Sequence, residues 1–181
     1  LHEVAVAVTN KVRLQRGEGF SLTQNVKAKV TCVAPAFTQY LYMSGDANGW
    51  SFSNPLYSPD ADGKYTGFMY LNQNGFKFAT QQDWNGTDYG EGLVEKGGNI
   101  VMTEPEGFYK VDVDLTSQAL TYTAINRVGV IGSATAGGWD SDQAMTYNAT
   151  DKCWEIKGIT LTEGEIKFRA NEAWDLDWGG S

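Results

Sequence analysis

Two sets of residues in this chain carry the means to grip a neutral, hydroxylated ring. The first is Trp50, Lys77, Trp84 and Tyr89; the second is Trp139, Lys167, Arg169, Trp174 and Trp178, with Asn171 beside them. A sugar ring has a flat face of C–H groups and a rim of hydroxyls. Indole offers the largest flat apolar face at low conformational cost. Lys, Arg and the Asn amide donate hydrogen bonds to the rim. Trp50 follows the turn-forming string Asp46-Ala47-Asn48-Gly49 and Trp139 follows Gly137-Gly138, which predicts loops for both. Trp84 and Tyr89 fall in the polar stretch 81–92, and Trp174 and Trp178 in a stretch dense with Asp and Asn. Lys77 lies between Phe76 and Phe78, while Lys167 and Arg169 flank Phe168. Strand alternation then sets the cations on the face opposite the phenylalanines.

Each of these residues also has a purely structural reading. Tryptophan in a β-sandwich often belongs to the core, and Trp84 and Trp174 could be anchors packed beneath a site. Lys77, Lys167 and Arg169 could simply line a solvated strand face. Trp154, in a strand-like run between Cys153 and Ile156, is read as core.

Other chemistries have less support. Glycoside hydrolysis needs two carboxylates flanking a bond in a deep cleft. The 22 acidic residues are scattered through turns, and those near Trp174 are not shared with the first set, where Gln82 stands for Glu172. No catalytic residue is assigned. The sole histidine, His2, is terminal, and Cys32 and Cys153 form no CxxC pair, which excludes a zinc site and a His-based dyad. Both thiols are expected to be free. Asp60-Ala61-Asp62-Gly63 and Asp140-Ser141-Asp142 resemble pieces of acidic loops but read as turns, so no metal or cofactor is expected. The formal charge of -8 offers no basic face for nucleic acid.

The elements that must position these residues form an internal repeat. Gly49-Trp50, Leu56-Tyr57, Asp62 to Tyr65, Phe76 to Ala79 and Asp83-Trp84 parallel Gly138-Trp139, Thr146-Tyr147, Asp151 to Trp154, Ile166 to Arg169 and Ala173-Trp174. The offset is 89 or 90 residues at every landmark, and Lys77 to Trp84 and Lys167 to Trp174 both span seven. Both copies read as β. Tyr109, Val111, Val113 and Leu115 alternate with polar residues, a turn follows at 116–118, and Leu120, Tyr122 and Ala124 alternate again, which predicts a hairpin. Runs 65–71, 75–80 and 165–170 read as further strands, and no amphipathic helix is evident.

The expected class is therefore all-β: tandem immunoglobulin-like β-sandwich carbohydrate-binding modules, the second lacking its closing hairpin. The expected segments are 1–35, terminal strands of a preceding domain; 36–126, module one; and 127–181, module two. Within the first segment, Val4 to Thr9 and Val26 to Val33 read as strands. The chain is expected to be an excerpt, with module two fraying or borrowing a strand at its unpaired edge.

The strings Asn48-Gly49-Trp50, Leu56-Tyr57-Ser58-Pro59-Asp60, Phe76-Lys77-Phe78 and Asp83 to Gly90 resemble the SusE/SusF family of starch-binding outer-membrane lipoproteins. Gly137 to Asp140, Tyr147, Ile166 to Asn171 and Trp174 to Gly180 are similar to the following module of that family, and the resemblance covers 36–181. It implies a lipid-anchored protein on the outer face of the bacterial outer membrane. It also implies an N-terminal immunoglobulin-like domain and tandem modules that hold starch or another α-glucan without hydrolysing it, beside a glycan-uptake complex. By position it nominates Trp50, Lys77 and Trp84 or Tyr89, then Trp139, Lys167 or Arg169, and Trp178. Ala79 stands where the second copy has Arg169, so the two sites differ. The competing readings are a structural or adhesive surface protein, a binder of another glycan, and an accessory module of a glycoside hydrolase.

Overall fold

Alternating burial along a few runs builds the first sheet. In the computed structural model, which describes residues 37–180, the strands are β1 (Tyr40–Gly45), β2 (Asn54–Tyr57), β3 (Lys64–Leu71), β4 (Phe76–Ala79), β5 (Asp88–Tyr89), β6 (Gly107–Asp114) and β7 (Ala119–Ala124). They form one antiparallel sheet in the order β5-β4-β1-β2-β3-β6-β7. The β6–β7 hairpin closes at the turn expected from the alternation, with Tyr109, Val111 and Val113 buried. The runs at 65–71 and 75–80 are β3 and β4.

The sheet curls at β2–β3, which share only the Tyr57–Thr66 rung. Gly67 permits that corner: a Cβ there would lie 2.7 Å from Leu56 Cγ and 2.9 Å from the Pro55 carbonyl. The two halves thus face each other across one core. Leu41, Met43, Leu56, Phe76 and Phe78 come from one half and Tyr65, Met69, Leu71, Tyr109, Val111 and Val113 from the other.

The strands that follow are β8 (Val128–Ile131), β9 (Gln143–Ala144), β10 (Thr146–Asn148), β11 (Cys153–Glu155), β12 (Lys167–Ala170) and β13 (Asp177–Trp178). Four of them pair as β13-β12-β8-β9, and β10 and β11 pair separately. The chain path of that four-stranded sheet is the path of β5-β4-β1-β2. The rungs correspond too: Met43–Phe78 and Ser44–Lys77 in the first sheet, Val130–Phe168 and Ile131–Lys167 in the second.

Among the described residues the second sheet takes no strand from the first. Its apolar face is covered instead by side chains from the outer face of β3 and β6. Phe68 meets Trp178 edge-on, Tyr70 stacks on Tyr147, and Phe108 packs against Trp154. Trp154, expected in the core, is half-buried in this second cluster. Cys153 is an exposed free thiol; Cys32, His2 and the strands expected in 4–9 and 26–33 lie outside the described residues. Among the described residues no helix is long and apolar enough to cross a membrane.

Candidate functional site

The first tryptophan is presented by a short 3-10 turn, Asp46–Asn48. Asn48 ties that turn down. Its Oδ1 accepts the Gly45 N–H at 3.0 Å, and its Nδ2 donates to the Met43 carbonyl at 3.1 Å and to Asn54 Oδ1 at 2.8 Å. Gly49 and Trp50 both adopt left-handed backbone, at φ 65° and 59°, which is uncommon for an indole-bearing residue. Trp139 leaves an equivalent corner closed by Thr135, whose Oγ1 donates to the Gly132 carbonyl at 3.0 Å.

The loop tryptophans stand clear of the cores. Trp50 is 40%, Trp84 43%, Trp139 41% and Trp174 50% exposed. Trp84 leans edge-on against Phe52, with centroids 4.9 Å apart. Trp139 and Trp174 lie 6.3 Å apart with their planes at 41°. The Arg169 guanidinium sits 5.0 Å from the Trp174 ring centroid, a cation–π contact that covers one face of that indole.

The remaining nominated residues divide by side of the sheet. Tyr89 pairs across the ladder with Phe78, and Trp178 with Phe168. Cross-strand partners project to the same face, so Tyr89 and Trp178 join the apolar side, where they pack against the two clusters. They are not brought to the exposed tryptophans. No periodicity signals this, because a two-residue edge strand is too short to show one. Asn171 commits its amide to main chain: Oδ1 accepts the Asn126 N–H at 2.9 Å and Nδ2 donates to the Ala124 carbonyl at 2.8 Å. It holds the loop in place rather than reaching outward.

The cations do lie opposite the phenylalanines, and carboxylates meet them there. Lys77 pairs with Asp88, and Lys167 Nζ lies 2.8 Å from Asp177 Oδ1. Lys96 reaches Asp88 as well, at 2.5 Å. Sequence reasoning missed this pair, although Asp88-Tyr89 and Asp177-Trp178 repeat an acid–aromatic signature. Asp142, read as a turn residue, is corrected by the fold. Its side chain is only 1% exposed and is held between Arg127 and Arg169. Among the described residues no cluster of metal-ligating side chains is present.

The hydrogen bonds from Lys77 and then Lys96 hold the buried Asp88 carboxyl below the usual carboxylate range. A lowered folded-state value contributes stability above the unfolded value of about 4. That contribution disappears as pH falls through the folded value. Thermal melts should therefore show the parent chain well above Asp88→Asn at neutral pH, with the gap closing as the pH falls below the ordinary carboxylate range. A gap that stays constant across that range would remove Asp88 from the stability account.

The exposed aromatics of the first sheet lie within a segment of known kind. The family model described as SusF/SusE starch specific CBMs matches residues 40–123. This segment is similar to that family. The match runs from β1 into β7, so the matched segment takes in Trp50, Lys77, Trp84 and Tyr89. That family is one of carbohydrate-binding modules, which bind rather than catalyse. No curated protein and no solved structure matches the chain.

Proposed function

We infer that the chain is a non-catalytic binder of starch or a related α-glucan, with one aromatic platform in each of two tandem modules. The observation that carries this is the Trp139–Trp174 pair, half-exposed, tilted by 41° and backed by Arg169. Two flat apolar faces set at an angle fit a curving chain of glucose units. Neighbouring cations supply donors for the hydroxyl rim. In the matched segment the corresponding elements are Trp50 and Trp84, the latter steadied by Phe52. Lys77 and Lys167 lie on the face opposite the phenylalanines, held by Asp88 and Asp177. The starch-specific family match over 40–123 supports the ligand class.

Sugar–aromatic stacks of about 1 kcal/mol each, with a few hydrogen bonds, give weak single sites, on the order of 0.1 to 1 mM. Two sites on one polymer gain by avidity. The family likeness supports a surface role, in which a lipoprotein on the outer face of a bacterial outer membrane would hold glucan beside a neighbouring uptake complex.

Electrophoresis through a gel containing amylopectin, paired with a maltoheptaose titration, tests the reading. Retardation in amylopectin and saturable binding are expected, with no released sugar. Migration unchanged by amylopectin would favour the adhesive reading, and retardation only by another polysaccharide would change the glycan.

A further inference from the structure

We propose that Asp142 is a positioning residue for the second platform, fixing the Arg169 guanidinium against Trp174 so that ring and cation meet the glucan as one unit. The proposal rests on the sugar-binding reading of Trp139 and Trp174. The carboxylate is buried and doubly engaged. Its Oδ2 accepts from Arg169 Nε at 2.6 Å, and its Oδ1 pairs with Arg127. A guanidinium bound through Nε has a set plane, which leaves its two terminal nitrogens as donors. Among the described residues those terminal nitrogens have no hydrogen-bond partner, and the group lies 5.0 Å from the Trp174 centroid. Asp142 therefore determines how Arg169 faces the ring.

The same charges reach the root of the Trp174 loop. Arg127 also pairs with Glu172. Asn171 and Glu172 hold consecutive left-handed conformations, at φ 53° and 59°. The Asn171 N–H donates to the Arg127 carbonyl at 2.9 Å. Gly129 makes room for the carboxylate: a Cβ there would lie 2.5 Å from Asp142 Cγ.

The matched segment has none of this. Its ladder sets Asn54 opposite Met43, as Gln143 lies opposite Val130. Ser53 then corresponds to Asp142. Ala79 and Tyr40 stand for Arg169 and Arg127 by the same rungs. The first site is steadied by Phe52 packing on Trp84, the second by a buried carboxylate between two guanidinium groups.

The test is a calorimetric titration of the full chain with maltoheptaose, in a Trp50→Ala/Trp84→Ala background where only the second platform reports. Asp142→Asn and Arg169→Met should each weaken binding about tenfold. The double variant should bind no more weakly than Arg169→Met alone, because residues acting through one group are non-additive. Losses that multiply in the double variant, or parent-like binding by Asp142→Asn, would overturn the proposal. Arg169→Lys keeps Asp142 paired and protects the fold, but lacks the planar fork. It should also bind about tenfold more weakly, and parent-like binding by this variant counts against the proposal. Trp174→Ala separates the two claims. If it weakens binding about tenfold or more while Asp142→Asn binds as the background does, only the positioning role fails. If Trp174→Ala binds as the background does, the sugar-binding reading fails and takes the proposal with it.

Discussion

A chain carrying Trp84→Ala and Trp174→Ala should lose its retention on insoluble starch while keeping its fold. Both indoles are exposed and each is steadied by a neighbouring side chain, Phe52 in one case and Arg169 in the other. Removing one stacking face weakens its own site about tenfold, worth about 1.4 kcal/mol. Removing both weakens each site and forfeits the avidity of two-point attachment, which reaches about 100-fold or more. Side chains this exposed contribute little to the cores, so the melting temperature should move by only a few degrees, about the effect of a surface substitution. A pull-down on granular starch with a parallel melt checks both halves. Full retention would remove these rings from the site.

The largest expected stability loss belongs to Phe78→Ala. Phe78 is fully buried, pairs across the ladders with Met43 on one side and Tyr89 on the other, and meets Phe76 edge-on at 5.5 Å. Truncating such a residue costs about 3–5 kcal/mol, combining lost burial with the cavity left behind. That is a large share of the roughly 5–15 kcal/mol that holds a domain folded. Urea denaturation should show a much lower midpoint. The equivalent change at Phe168, which is only half-buried in the smaller second cluster, should cost less. Equal losses at the two positions would contradict the difference in packing between the two sheets.

Several features were legible because they follow from local periodicity. Alternation along 109–115 and 120–124 marked the hairpin. The Phe-Lys-Phe string at 76–78 put Lys77 on the face opposite the phenylalanines. Gly-containing turns before Trp50 and Trp139 marked exposed rings. Other features depend on partners distant in sequence. Tyr89 and Trp178 looked like loop aromatics, but edge pairing with Phe78 and Phe168 turns them to the apolar side. Asn171 looked like a sugar donor until the main chain at 124–126 took its amide. Asp142 looked like a turn residue, and only the approach of Arg127 and Arg169 makes it a buried counter-ion.

By itself the sequence determined the all-β class, the repeated order of aromatic and basic residues, and the presence of exposed tryptophans, because strand alternation and turn chemistry act over a few residues. The tertiary structure decided which aromatics share a face, which carboxylate restrains which cation, and how the second apolar face is covered by Phe68 and Phe108. Those outcomes depend on ladder register and packing between segments many residues apart, where a shift of one residue turns every side chain to the other face.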